Sequence, residues 1–201
     1  MATLTRLGVP GGEHAWSTLG FAVEDRAVQI GQVRCEFTSD RSWGFDDIRS
    51  DPSILGVPTG RCSAAKGPAH PNGVTHVDHI VYTVRDLDTA IAALTAVLGI
   101  EPRRRFHPRG PSGPEMAFFR VGEAFIEVVA AGAEPTLIGL ALWSADLDRT
   151  VAAIRALGGP ISDPKPAVQG GHIATVWHGH LNWGLAIMGG RPPSGPSVAA
   201  P

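Results

Sequence analysis

The sequence predicts an α+β protein in which one β-α-β-β-β unit is built twice, preceded by an N-terminal β-rich partial module. Three observations carry this. Residues 86–99 (DLDTAIAALTAVLG) return sixty positions later as residues 146–159 (DLDRTVAAIRALGG), with seven of the fourteen aligned positions identical; self-similarity at a fixed spacing marks a repeated supersecondary unit. Each copy has the periodicity of an amphipathic helix and follows an alternating, β-branched run. Short strand-like runs come after each copy, and a strand, a helix and then a meander give an α+β pattern with helices over one face of the sheet.

In the first unit, residues 76–84 (HVDHIVYTV) alternate and read as a strand. Asp86 then offers an N-cap, Leu87, Ile91, Leu94 and Leu98 recur at helical spacing, and Gly99 closes the helix. Strands are expected at 103–107, 116–121 and 124–130, with Gly122-Glu123 as the turn between the last two. The second unit should have a strand at 136–144, a helix from Asp146 that ends at Leu157-Gly158-Gly159-Pro160, strands at 172–177 and 184–188, and a weaker one at 161–168. The Pro- and Gly-rich residues 63–74 read as a linker and 191–201 as a disordered tail. The expected divisions are therefore 1–62, 75–130 and 131–190. In the first of these, AVQIGQVRCEF lies over FFRVGEAFIEV when Ile30-Gly31 is set against Val121-Gly122, which puts Glu36 against Glu127. That segment reads as a unit missing its first strand and helix, a hairpin added to the same sheet system.

Hydrophobic content of 43% and charged content of 18% describe an ordinary soluble globular protein. A net charge of −2 lacks the basic face of a nucleic-acid binder, so no nucleic-acid partner is expected. No run approaches the ~18 apolar residues of a membrane span, and the start lacks the apolar core of a secretory signal. With two cysteines, Cys35 and Cys62, no disulfide framework is expected, and a cytoplasmic location follows. The arginines at 103–105 form a solvated face or a clamp for an anionic substrate. A hairpin and an open sheet face that both need cover predict a homodimer.

Strand alternation puts Val77, His79, Val81 and Thr83 on one face, and Asp78, Ile80, Tyr82 and Val84 on the other. Glu127 stands among apolar neighbours in FIEVV. A carboxylate there is costly to bury unless it is paired, with Arg120 as a candidate, or holds a cation.

These residues, HVDHIVYTVRDLDTAIAALTAVLGI followed by AFIEVV, resemble a module of the vicinal oxygen chelate superfamily, which includes glyoxalase I, bleomycin-resistance proteins, methylmalonyl-CoA epimerase and extradiol dioxygenases. The resemblance spans about residues 76–190. It implies tandem βαβββ modules forming a curled mixed sheet with a concave cleft and helices outside. A divalent metal in that cleft would be held by a His from the first strand and a Glu from the last strand of contributing modules. His79 and Glu127 match those ligand positions in the first module, whereas Gly139 and Ala186 (or Ile187) stand at them in the second. The resemblance thus implies a degenerate metal site, because one His and one Glu are too few for zinc or a hard cation. His107, His172, His178, His180, Glu36 or a second subunit would have to add ligands. The expectation is no tightly bound metal, with one divalent ion (Zn, Mn, Fe or Ni) as the alternative.

On the presumed cleft face the second module shows Gly139, Ala141 and Trp143, then Gly184, Ala186 and Met188, facing Val81 and Phe125 of the first. Small and apolar groups there make room for a small organic ligand. The resemblance implies a glyoxalase-like protein that acts on or binds such a molecule. One form is an isomerase-, epimerase- or lyase-like enzyme with Glu127 as base and His79 as its partner. The other is non-catalytic sequestration, as in bleomycin-resistance relatives, with Trp143, Trp177 and Trp183 as candidate stacking groups.

Overall fold

The N-terminal sixty residues build a sheet of their own. In this computed structural model, which describes residues 1–190 apart from 109, 111, 112, 133 and 169, they form β1 (Leu4–Val9), α1 (Glu13–Thr18), β2 (Ala27–Ile30), β3 (Val33–Phe37), β4 (Ser42–Phe45), a 3₁₀ turn (Pro52–Leu55) and β5 (Thr59–Arg61). The tail at 191–201 lies outside the described residues. The five strands are ordered β2-β3-β1-β4-β5. The first strand and helix, expected to be missing, are present, and the β2–β3 hairpin does not join the main sheet. Both elements are weakly written: LTRLGV has no sustained alternation, and α1 is six residues long with Gly12 at its N-cap and no side-chain cap. Glycine there leaves the first amide donors of the helix without a side-chain acceptor.

The expected linker is also tied down at its end. His70, 7% exposed, accepts the Ala22 N–H through Nδ1 (3.2 Å), and its Nε2 meets the Gln29 carbonyl (2.9 Å). Asn72 donates to the Leu19 carbonyl (2.8 Å) and accepts the Val74 N–H (3.0 Å). These buried bonds carry the chain from the small sheet into the first repeated unit.

That unit comprises β6 (Val74–Val84), α2 (Leu87–Leu98), β7 (Arg104–Phe106), β8 (Met116–Val121) and β9 (Ala124–Ala130). The second comprises β10 (Thr136–Ser144), α3 (Leu147–Ala156), β11 (Lys165–Pro166), β12 (His172–Thr175), α4 (His178–Leu181) and β13 (Gly184–Gly189). Asp86 and Asp146 cap their helices alike, accepting the N–H groups of Thr89 (2.8 Å) and Arg149 (3.0 Å). The α+β class is borne out. One eight-stranded mixed sheet runs β11-β12-β13-β10-β6-β9-β8-β7, with β6 and β10 antiparallel at the seam and each parallel to the last strand of its own unit. The strand expected at 161–168 shrinks to β11 and one bridge between Ile161 and Val176. The His178–His180 stretch is helical, not extended.

The small sheet lies on the core side of the large one. Trp43 packs against Tyr82 (5.0 Å between ring centroids), the Tyr82 hydroxyl donates to the Leu55 carbonyl (2.6 Å), and the Arg49 N–H donates to Val97 at the end of α2 (2.8 Å). One contiguous core unites both sheets. The N-terminal unit thereby covers a face that had argued for a dimer partner. Its pairings repeat the large sheet in miniature: β1 is parallel to β3 and antiparallel to β4, and β4 is parallel to β5.

Candidate active site

The site is centred on an irregularity in β6. Opposite β10, the register runs from His79 against Ala141 directly to Val77 against Leu142, so Asp78 is an extra residue. Such a bulge puts two consecutive side chains on one face. Val77 and Ile80 are fully buried in the core while Asp78 and His79 both point into the cleft. This corrects two expectations: Val77 does not share a face with His79, and Asp78 does not share one with Ile80.

Asp78 Oδ2 lies 2.6 Å from His79 Nδ1. A carboxylate can only accept here, so Nδ1–H donates and Nε2 is left for the cavity side. Nε2 faces Glu127 Oε2 at 3.7 Å. Glu127 comes from β9, one position beyond the fully buried Ile126, and is opposite Val81 in register. Burial pushes the Glu127 carboxyl above its usual range; the charge of His79 pulls it down and that of Asp78 pushes it further up. Arg120 does not neutralise it: its Nε donates to the Gly122 carbonyl and its guanidinium lies over the Phe125 ring, 4.7 Å from the centroid.

The three groups sit on the wall of a cavity of about 840 Å³. Met116, Phe118, Phe125, Trp143, Ile173 and Met188 make its apolar wall, and Arg103, Arg104 and Lys165 also border it. Of the expected ligand-facing residues, Phe125, Trp143 and Met188 line the cavity with His79 and Glu127, whereas Val81, Gly139, Ala141 and Ala186 do not. Ala141 is 2% exposed, and a Cβ on Gly139 would stand 3.1 Å from the Gly184 carbonyl oxygen, so the backbone itself fills that part of the cleft. In register, Gly139 opposes Gly184 as His79 opposes Phe125, which makes Ala186 rather than Ile187 the counterpart of Glu127. Trp183 is a core residue, 1% exposed, and donates to the Leu137 carbonyl; Trp177 is 68% exposed and away from the cavity.

None of the supplementary ligand candidates joins the pair. Nε2 of His180 meets the Ala15 carbonyl (2.9 Å), Nδ1 of His107 meets the Gly113 carbonyl (3.0 Å), and Glu36 pairs with Arg6 and Arg34 in the small sheet. His172 and His178 do not border the cavity. Among the described residues no three His, Cys, Asp or Glu side chains are grouped to hold a metal ion. Two donors facing one another do not fit zinc, which takes three protein ligands even at a catalytic site. The residue that sequence reasoning missed is Asp78. Its signal was the DH doublet in a strand, where strict alternation had sent the acid to the wrong face.

A twice-built α+β unit with an imidazole and a carboxylate turned into one cleft defines a fold of paired-module type. The model of the glyoxalase/bleomycin resistance protein/dioxygenase superfamily matches residues 78–176, and over that stretch the chain is similar to this superfamily. No curated protein matches the chain. Among solved structures it is similar to methylmalonyl-CoA epimerase from Mycobacterium tuberculosis, at 20% identity and a TM-score of 0.51, over 60% of this chain and 91% of that one. The Streptomyces coelicolor methylmalonyl-CoA epimerase gives 17% and 0.49, over 59% of this chain and 99% of that one. A hypothetical protein from Bacillus halodurans gives 13% and 0.49, over 59% and 96%. The first of these likenesses, at 20% identity, concerns the fold alone. Among the described residues, no helix is long and apolar enough to cross a membrane.

Proposed function

We propose that the protein moves a proton at carbon, in an isomerase-, epimerase- or lyase-like reaction on a small organic molecule, without a tightly bound metal. The observation that carries this reading is the Asp78–His79–Glu127 series on the cavity wall, with spacings of 2.6 and 3.7 Å. Glu127 is the base. Its burial raises its affinity for a proton, which favours its accepting one from an activated C–H. His79 is its acid–base partner, receiving that proton or returning one to the opposite side of the carbon. Asp78 fixes the His79 tautomer and stabilises the imidazolium that forms, acting as a positioning residue. The apolar wall excludes water and strengthens these interactions.

The test is deuterium uptake. Protein in D₂O is incubated with a panel of 2-oxo acids, 2-substituted carboxylic acids and thioesters, and exchange at carbon is followed by mass spectrometry. The wild type should label at least one compound, and Glu127→Gln should lower that rate by about 10²–10⁴-fold while keeping the fold. Exchange that persists in Glu127→Gln overturns the assignment.

The aromatic and thioether wall of Phe118, Phe125, Trp143 and Met188 supports a second reading, sequestration without turnover. A compound that quenches tryptophan fluorescence at micromolar concentration and shows no exchange would favour it. The reading includes a homodimer and a cytoplasmic setting, which sedimentation and fractionation would test.

A further inference from the structure

The large sheet brings cations into its cavity from both of its outer edges. β7 is the last strand on one side and β11 the last on the other, yet Arg104 from the first, Arg103 just before it and Lys165 from the second border the same cavity. The sheet is curled enough that its margins face each other across the opening, with His79 and Glu127 on the middle strands between them.

The three arginines at 103–105 differ in their surroundings. Arg105 points away from the cavity and is held by Asp88 and by both oxygens of Glu115, one of them at 2.9 Å. Arg104 is on the cavity side, over the Phe106 ring (4.1 Å) and near the Phe118 ring (5.2 Å), and those two rings stack on each other. Arg103 and Lys165 form no ion pair with a carboxylate among the described residues. Against these three cations the cavity wall sets two carboxylates, Asp78, which is engaged by His79, and Glu127. The cavity therefore carries an excess of positive charge in a chain whose net charge is −2. Cations gathered at the mouth of a low-dielectric cleft focus the field on an anion.

We propose that the ligand is a small organic anion whose carboxylate or phosphate group is clasped by Arg103 and Lys165 at the cavity mouth, with an apolar body lying along Phe118, Phe125 and Trp143. This deepens the reading of a proton-transfer site and rests on it only in what the far end of the ligand meets. β7 stands two strands from β9, about 10 Å along the sheet, so several bonds separate the oxyanion from the carbon that approaches Glu127. A planar guanidinium and an ammonium on opposing margins suit an oxyanion that takes charge-assisted hydrogen bonds from two directions.

The experiment compares isosteric probes on the intact chain: phenylacetate, phenyl phosphate and the neutral phenylacetamide, titrated calorimetrically and by tryptophan fluorescence at low and high salt. At least one anion should bind about tenfold or more tightly than the amide at low salt, and the preference should shrink as salt rises. The tighter anion identifies the head group. Arg103→Gln and Lys165→Gln should each weaken the anion about three- to tenfold and leave the amide unchanged, whereas Arg105→Gln should change neither. Equal affinities for anion and amide, no anion binding at millimolar concentration, or a preference that survives in the Arg103→Gln/Lys165→Gln double variant would each overturn the proposal. Glu127→Gln separates the two readings. Loss of deuterium exchange with the anion preference intact leaves this proposal standing, and exchange on neutral compounds alone removes it without touching the catalytic one.

Discussion

Arg6 stands against Glu36 in the small sheet, 3.2 Å apart, at the register positions that His79 and Glu127 occupy in the large one. Arg6 opposes Arg34, two residues before Glu36, as His79 opposes Phe125, two residues before Glu127. Across the seam, Arg6 opposes Gly44 as His79 opposes Ala141. Both hairpins turn on a glycine with positive φ, Gly31 at 58° and Gly122 at 76°, a conformation that favours glycine. The two turns touch, since the Gln32 N–H donates to Glu123 Oε1 (2.7 Å). The N-terminal unit is thus a reduced third rendering of the same strand plan, with a guanidinium in place of the imidazole.

The buried carboxylate of Glu127 should cost stability at neutral pH. Its folded-state pKa is raised above the usual 4.5, so the folded chain holds this proton more tightly than the unfolded chain. Stability is then complete below pH 4.5 and is lost as pH rises through the folded value. Glu127→Gln should melt higher than the wild type at pH 8, by about 2–4 °C for each kcal/mol relieved in a chain of this size. Near pH 4 the two should coincide. Calorimetry at both pH values checks this; a variant that melts lower at pH 8 contradicts the burial cost.

Asp78→Asn keeps the size of the bulged side chain and removes its charge. His79 then loses its fixed tautomer, and the imidazolium loses its counter-charge. Turnover of whichever compound exchanges deuterium should fall about 10–100-fold, chiefly in kcat. Unchanged turnover would show that Asp78 is only a spacer in the strand.

Restoring the second module's polar positions should create a metal site. Gly139→His with Ala186→Glu would put a second imidazole and carboxylate at the register positions that match His79 and Glu127. The double variant should retain zinc or nickel through dialysis at roughly one ion per chain, as four protein ligands permit, and the wild type should not. It should also be less stable, because the Cβ of residue 139 meets the Gly184 carbonyl at 3.1 Å. Metal analysis decides; retention by the wild type alone would reverse the reading.

His70 should make the junction between the sheets acid-sensitive. Burial lowers its pKa below 6.5, the Gln29 carbonyl only partly opposing, and its Nδ1 is already an acceptor for the Ala22 N–H. Protonation would set two donors against each other. Since the folded-state pKa is depressed, stability is present above pH 6.5 and is lost as pH falls through the folded value. His70→Gln should be less stable at pH 7.5, by about 1–3 kcal/mol for lost buried bonds. It should lose less on acidification than the wild type, as read from urea midpoints at pH 7.5 and 5.

The duplicated helices, their aspartate caps and the β8–β9 turn were legible because each rests on local pattern: an apolar stripe, a capping side chain, a glycine in a turn. The same holds for the pairing of Glu36 with Glu127, which a two-residue hairpin betrayed. Less visible was β1, where Arg6 and Gly8 interrupt the apolar run and the partners of the strand are supplied from thirty to forty residues away. The bulge at Asp78 was invisible for another reason: one extra residue leaves composition and periodicity almost untouched while turning the side chains on one side of it over. Cavity membership followed neither pattern. Lys165 reaches the site from a two-residue strand that only the curl of the whole sheet brings close.

β7 and β11 are three and two residues long, and they are both the free margins of the large sheet and the lips of its cavity. Short borders of this kind open at little cost compared with the interior strands. The proposed ligand would therefore need no separate lid, since local fraying of these lips would admit it. A molecule that grips both would stitch the fabric shut behind it, so slower amide exchange in these two segments would be the mark of an occupied protein.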